Sequence, residues 1–283
     1  MPMVLIEGVF RLKGTGPDGD TVRFVADNPA DWNLVSGKNP LDTTAAGEAK
    51  IRLEGIDALE THYHGSHQPL THANAAAAEL LSWLGFTDVQ RDAKGEVISS
   101  TPETTPGFVL SRGADNLGRC VALVGKGNAP AASGSDITVD VPLLKETVNH
   151  HLVTEGLAYP TFYRSLFMDL RLELTAAAKK ASDDGKGLWP DDVTTTGAKI
   201  TGLSSIVDDV VILPKLFRRL VDYFALGTPS IACFPAYLAG KEDPFTILST
   251  NKRRLGLHHV VEVTNGNTLR MTHAADDLLF DEG

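Results

Sequence analysis

Residues 51–61 read IRLEGIDALET, and outward from this stretch the chain can be parsed. AKIRLEGIDA (49–58) alternates apolar and polar residues as a half-buried strand does, and Glu60 follows Asp57 by three positions where that strand ends. Upstream, VLIEGVFRL (4–12) and TVRFVAD (21–27) alternate in the same way around the turn PDGD (17–20). Between residues 27 and 48 the sequence is rich in Asn, Asp, Gly and Pro and has no period, which predicts a long loop or ribbon excursion. Downstream, ANAAAAELLSWLG (73–85) predicts a helix stopped by Gly85, and residues 86–130 return to strands and turns. Two further helices are predicted around KETVNHHLVTEG (145–156) and RSLFMDLRLELTAAAKKASDDGKG (164–187).

Five strands with interspersed helices predict an α+β fold: a five-stranded barrel of the oligonucleotide-binding type carrying three helices over residues 1–192. The stretch DDVTTTGAKITG (191–202) reads as a linker to a small α+β part, residues 193–283, of unassigned role. That part opens with an amphipathic helical segment, SIVDDVVILPKLFRRLVDYFAL (205–226), restarted at Pro214. It closes on a hairpin about Asn265-Gly266. The apolar face of its helix is expected to dock on the first part or on a second copy, giving a homo-oligomer.

Composition narrows the function. The formal net charge of -10 argues against a broad basic surface for nucleic acid, so any phosphate contact has to be local. No apolar run approaches the ~20 residues that span a bilayer, and MPMVLIEGVFRLKG reads as a first strand rather than an export signal. Cys120 and Cys233 form no metal-spaced or redox pair and are expected as ordinary thiols. A cytoplasmic protein with no membrane partner is the expectation.

Five blocks taken in order, PDGDTVRF (17–24), IRLEGIDALET (51–61), DNLGRCVALV (115–124), VNHHLVTEGLAY (148–159) and GKGLWP (185–190), resemble the staphylococcal nuclease (thermonuclease) family over about the first 190 residues. The resemblance implies a barrel whose active site hydrolyses phosphodiester bonds of DNA or RNA with one calcium ion. On the matching positions it implies Asp20, Asp57 and the carbonyl of Ala58 as calcium ligands, Arg52 and Arg119 as catalytic arginines, and Glu60 as the catalytic glutamate. Leu59 stands where the family commonly has Pro, and Leu117 where it has an aromatic that seats a nucleotide; Phe162 or Tyr163 is the alternative ring, or else a core aromatic.

These residue types suit the chemistry. In-line attack on a phosphodiester concentrates negative charge on the equatorial oxygens, which the planar, permanently charged forks of two arginines can meet two at a time. A hard cation takes oxygen ligands of the carboxylate and carbonyl kind, and a carboxylate can activate the attacking water. No base-reading helix or finger is visible, so cleavage of low sequence specificity is expected, with a non-catalytic nucleic-acid- or protein-binding scaffold as the alternative. His62, His64, His67 and His72 crowd the loop after Glu60, either as a transition-metal site or as an ordinary polar rim. KLFRR (215–219) and NKRR (251–254) read as solvated faces or as guides for nucleic acid.

Overall fold

A computed structural model describes residues 1–228 and 230–281. The chain opens with strands β1 (Pro2–Arg11), β2 (Thr21–Ala26), β3 (Glu48–Leu53) and β4 (Ile56–Ala58), then helix α1 (Leu70–Trp83). A small hairpin, β5 (Thr87–Arg91) and β6 (Val97–Thr101), precedes the long pair β7 (Thr104–Ala114) and β8 (Cys120–Lys126) and the short β9 (Asp136–Thr138). Then follow α2 (Val141–Lys145), α3 (Val148–Thr154), β10 (Ala158–Pro160), β11 (Phe162–Tyr163) and α4 (Met168–Asp183).

Strands β1, β2, β3, β8 and β7 pair in that order, and β7 returns to β1, so five strands close into the expected barrel with β9 added beside β1. Closure requires β1 to serve two neighbours, which it does across Gly8, paired with Ala26 on one side and Gly107 on the other. A β-carbon at Gly8 would lie 2.1 Å from the Val25 carbonyl oxygen, so only glycine permits this approach. Ile6, Phe10, Phe24, Ile51, Val109 and Val124 share one buried face of the barrel wall by period two, while Leu5, Leu110 and Leu123, buried as well, lie on the other. The excursion at 27–48 is pinned rather than loose: its 3-10 turn Pro29–Leu34 buries Trp32, whose indole N–H donates to the Gly47 carbonyl at 2.8 Å.

The remaining residues form β12 (Ala198–Lys199), α5 (Leu203–Asp208), α6 (Pro214–Phe224), α7 (Phe234–Lys241), β13 (Pro244–Ile247), β14 (Lys252–Leu255), β15 (Val261–Thr264), β16 (Thr268–Met271) and β17 (Leu278–Phe280). Asn265 and Gly266, both at positive φ, make the turn between β15 and β16. The stretch expected as a linker is instead folded. β12 pairs with β16, Ile200 is buried, and the Val193 N–H donates to the Val211 carbonyl at 3.0 Å. Loop-like composition misled because Thr and Gly at these positions serve as hydrogen-bonding and turn residues inside a packed unit.

Two apolar cores result, and the second is not built from the C-terminal residues alone. Leu59, Ala73, Tyr159 and Leu188 of the first part pack into it together with Phe217, Leu220, Phe234 and Phe245. The apolar stripe of α6 is thereby buried within the chain, while β17 pairs in parallel with β11, matching Phe162 to Leu279. No helix among the described residues is long and apolar enough to cross a membrane.

Candidate functional site

The arginines and acids singled out in the sequence lie around one end of the barrel because β3 and β8 run parallel there. Arg52 is in register with Val121, two residues after Arg119. Arg119 leaves a tight turn in which Asp115 accepts the backbone N–H groups of Leu117 and Arg119 at 2.9 and 3.0 Å, with Gly118 at positive φ. The same carboxylate takes the Arg119 Nε at 2.7 Å, which fixes the guanidinium on the strand that follows. Leu117, at the tip, is exposed.

Asp20 ends the turn that joins β1 to β2. Its carboxylate reaches across to β4, accepting the Ala58 N–H at 2.9 Å, and its neighbour's Thr21 hydroxyl donates to it at 3.1 Å. The turn has no room to move, since a β-carbon on Gly19 would lie 2.6 Å from that of Ala58 and 2.8 Å from that of Ala76. Asp57 is fully buried on β4, opposite Tyr159 of β10. Arg52 pairs with both acids, meeting Asp20 through Nη1 and Asp57 Oδ1 through Nη2 at 2.6 Å. Glu60 is fixed by its backbone: its N–H donates to Gln68 Oε1 at 3.2 Å, and the buried Gln68 amide donates onward to the Ile212 carbonyl at 2.8 Å.

A residue that carried no such expectation completes the cluster. Arg218, on α6, donates to Asp57 Oδ2 at 2.9 Å and Oδ1 at 3.2 Å, and to Glu60 Oε1 at 2.5 Å. It does not sit on a solvated face. Lys215, Arg218, Arg219 and Asp222 recur at i, i+3, i+4 and i+7, a polar stripe that here faces protein. Arg219 is likewise taken, by Asp243 at 2.9 Å. Burial would raise the Asp57 carboxyl, but the guanidiniums of Arg218 and Arg52 outweigh it and hold the group below its ordinary value. For Glu60 burial prevails, with the charge of Asp57 adding to it, and the carboxyl is raised despite Arg218.

Beside this cluster, on the other side of Arg52, opens a cleft of about 330 Å³. Lys38, Arg52, Arg112, Arg119, Lys215 and Arg219 line it against four acids, Glu54, Asp115, Asp243 and Asp281, so its lining is positive within a chain of net charge -10. Among the described residues Lys38, Arg112 and Lys215 form no salt bridge at contact distance; Lys215 lies 4.3 Å from the Phe280 ring centre. Tyr163 lines this cleft, whereas Phe162 is a core residue. Asp20, Asp57 and Glu60 do not line it; Arg52 belongs to both places.

A family model described as staphylococcal nuclease homologue matches residues 50–191. The chain belongs to the staphylococcal nuclease homologue family. No curated protein matches it. Arg52, Asp57, Ala58, Glu60 and Arg119 fall inside the matched residues, Asp20 before them and Arg218 after them. Membership supports a nuclease-type or nucleic-acid-binding function, in keeping with the closed barrel.

Calcium, the metal this family implies, does not fit the donors as they stand. Both oxygens of Asp20 and both of Asp57 already accept hydrogen bonds or pair with arginine, and no three His, Cys, Asp or Glu side chains among the described residues group as metal ligands. The histidines after Glu60 are dispersed: His72 pairs with Asp191 at 2.9 Å, His62 meets the Thr61 hydroxyl, and His67 the Gln68 carbonyl.

Proposed function

We propose that the chain is a nuclease that hydrolyses phosphodiester bonds of DNA or RNA with low sequence specificity. The positive cleft, with Arg52 joining it to the carboxylate cluster, is the observation that carries this reading. A single nucleotide unit suits a cleft of this size, and the acidic remainder of the surface confines phosphate attraction to it. In this reading Arg52 and Arg119 receive the non-bridging oxygens of the scissile phosphate and offset the charge that grows there. Tyr163 offers a ring for a base, the role sought for Phe162 or Tyr163. Glu60 is the proton acceptor for the attacking water. Its raised carboxyl is a better base than an ordinary glutamate, once Arg218 no longer holds it.

Asp20, Asp57 and the Ala58 carbonyl are oxygen donors of the kind calcium takes, and dependence on calcium belongs to the proposal. Their present engagement with arginine and backbone means that no step is assigned to the metal. The same engagement favours a second reading, a binding scaffold on a nuclease-like barrel, since a glutamate clamped by Arg218 activates nothing. Incubating the full chain with single-stranded DNA, double-stranded DNA and RNA, with calcium or with chelator, separates the two. Calcium-dependent products are expected; none on any substrate would leave the scaffold.

A further inference from the structure

Arg218 lies outside the family-matched residues yet holds two acids of the cluster with a two-pronged grip. Three carboxylates, Asp20, Asp57 and Glu60, meet two guanidiniums, Arg52 and Arg218. Without Arg218 the cluster would carry two uncompensated negative charges, the charge of one divalent cation. A calcium ion requires six to eight oxygens at about 2.3–2.6 Å, and one seated on Asp57 would both lose its ligand oxygens to Arg218 and be repelled by it. On this carboxylate the two cations compete for lone pairs and repel each other. We infer that Arg218 is a built-in competitor of a divalent cation for Asp57 and Glu60, so that the C-terminal part controls metal entry to the nuclease barrel.

The inference rests on the reading of Asp20 and Asp57 as cation-binding acids. The fold supplies what such a device needs. Leu216, Phe217, Leu220 and Val221, on the opposite stripe of α6, anchor the helix in the second core and so present Arg218 to β4. The Arg218 side chain is 23% exposed, which leaves it a path away from the acids, whereas Asp57 at 1% has none. Gln68 ties the Glu60 backbone to Ile212, just ahead of the same helix.

Calcium binding to the full chain, followed by isothermal titration calorimetry without nucleic acid, tests the competition directly. Arg218→Met is expected to bind calcium at least ten-fold more tightly than the unchanged chain, and adding Asp57→Asn is expected to abolish the gain. Equal affinity in the folded Arg218→Met protein overturns the inference, as does a gain that survives Asp57→Asn. Should Arg218→Met fail to fold, Arg218→Lys retains a charge but not the fork; an affinity no higher than that of the unchanged chain then overturns it. Cleavage is measured separately. Tighter calcium binding by a chain that cuts nothing removes only the nuclease reading, and unchanged affinity in an active chain removes only the competition.

Discussion

Arg52 does two things at once: it neutralises Asp20 and Asp57, and it faces the cleft. Arg119 has one carboxylate neighbour, Asp115, bound through Nε. On the proposed chemistry, replacing either by Ala removes a preorganised donor and is expected to lower the cleavage rate about 10²- to 10³-fold. Arg52→Ala should in addition melt at a lower temperature, because it leaves the buried Asp57 with less compensation, while Arg119→Ala should not; thermal melts beside rate measurements check the contrast. Lys215→Ala is expected to leave the maximal rate in place, raise KM, and shallow the salt dependence of binding by about one unit of log–log slope. The acids and both arginines were marked in the sequence by the five collinear blocks that resemble the family, not by local pattern alone. Arg218 was not. Amphipathic spacing places it opposite Leu216 and Leu220, and a polar stripe signals solvent unless the surface that covers it is known.

At the scale of elements, α6 is the part on which the site depends most. Phe217 is fully buried in the second core, so Phe217→Ala is expected to cost about 3–5 kcal/mol by the cavity it leaves, measurable by denaturant unfolding. Asn149 of α3 plays a comparable role inside the barrel. It accepts the Val124 N–H at 3.0 Å and donates to the carbonyls of Glu54 at 2.9 Å and Ala122 at 3.1 Å, tying the end of β3 to β8 beside the cleft. Asn149→Ala orphans these buried groups, at about 1–3 kcal/mol for each left unsatisfied, and should show the same unfolding phenotype. Barrel strands, α1 and the hairpin at Asn265-Gly266 followed from period and turn chemistry. The folded stretch at 191–202 did not, since its hydrogen bonds go to β16 and to Val211, partners about 70 and 20 residues away that no local pattern reveals.

Across the whole molecule, carboxylates tie arginines both within the C-terminal part and between it and the first part. Burial would raise Asp243, but hydrogen bonding to Arg219 and the charge of Lys215 lower it, and the bond to Arg164 of the first part lowers Asp281. A carboxyl lowered in the fold contributes stability that is complete above its unfolded value and is lost as pH falls through the folded one. The melting temperature is therefore expected to drop as pH falls below the ordinary Asp value of 3.8, and Asp243→Asn should flatten that dependence. Glu60 works in the opposite sense: its raised carboxyl contributes below the ordinary 4.5 and loses that contribution as pH climbs through its folded value.

The clamp on Glu60 also sets an order of events at the ribosome. Arg218 follows Glu60 by 158 residues in the chain, and translation proceeds at about 5–20 residues per second, so roughly 8–32 s separate the synthesis of the acid from that of the arginine that covers it. In the later part of that interval, once β7 and β8 are made, the nascent chain carries Arg52 on Asp20 and Asp57 but not yet Arg218 on Asp57 and Glu60. On the proposed competition, a newborn chain and a finished one are different molecules to a passing divalent cation.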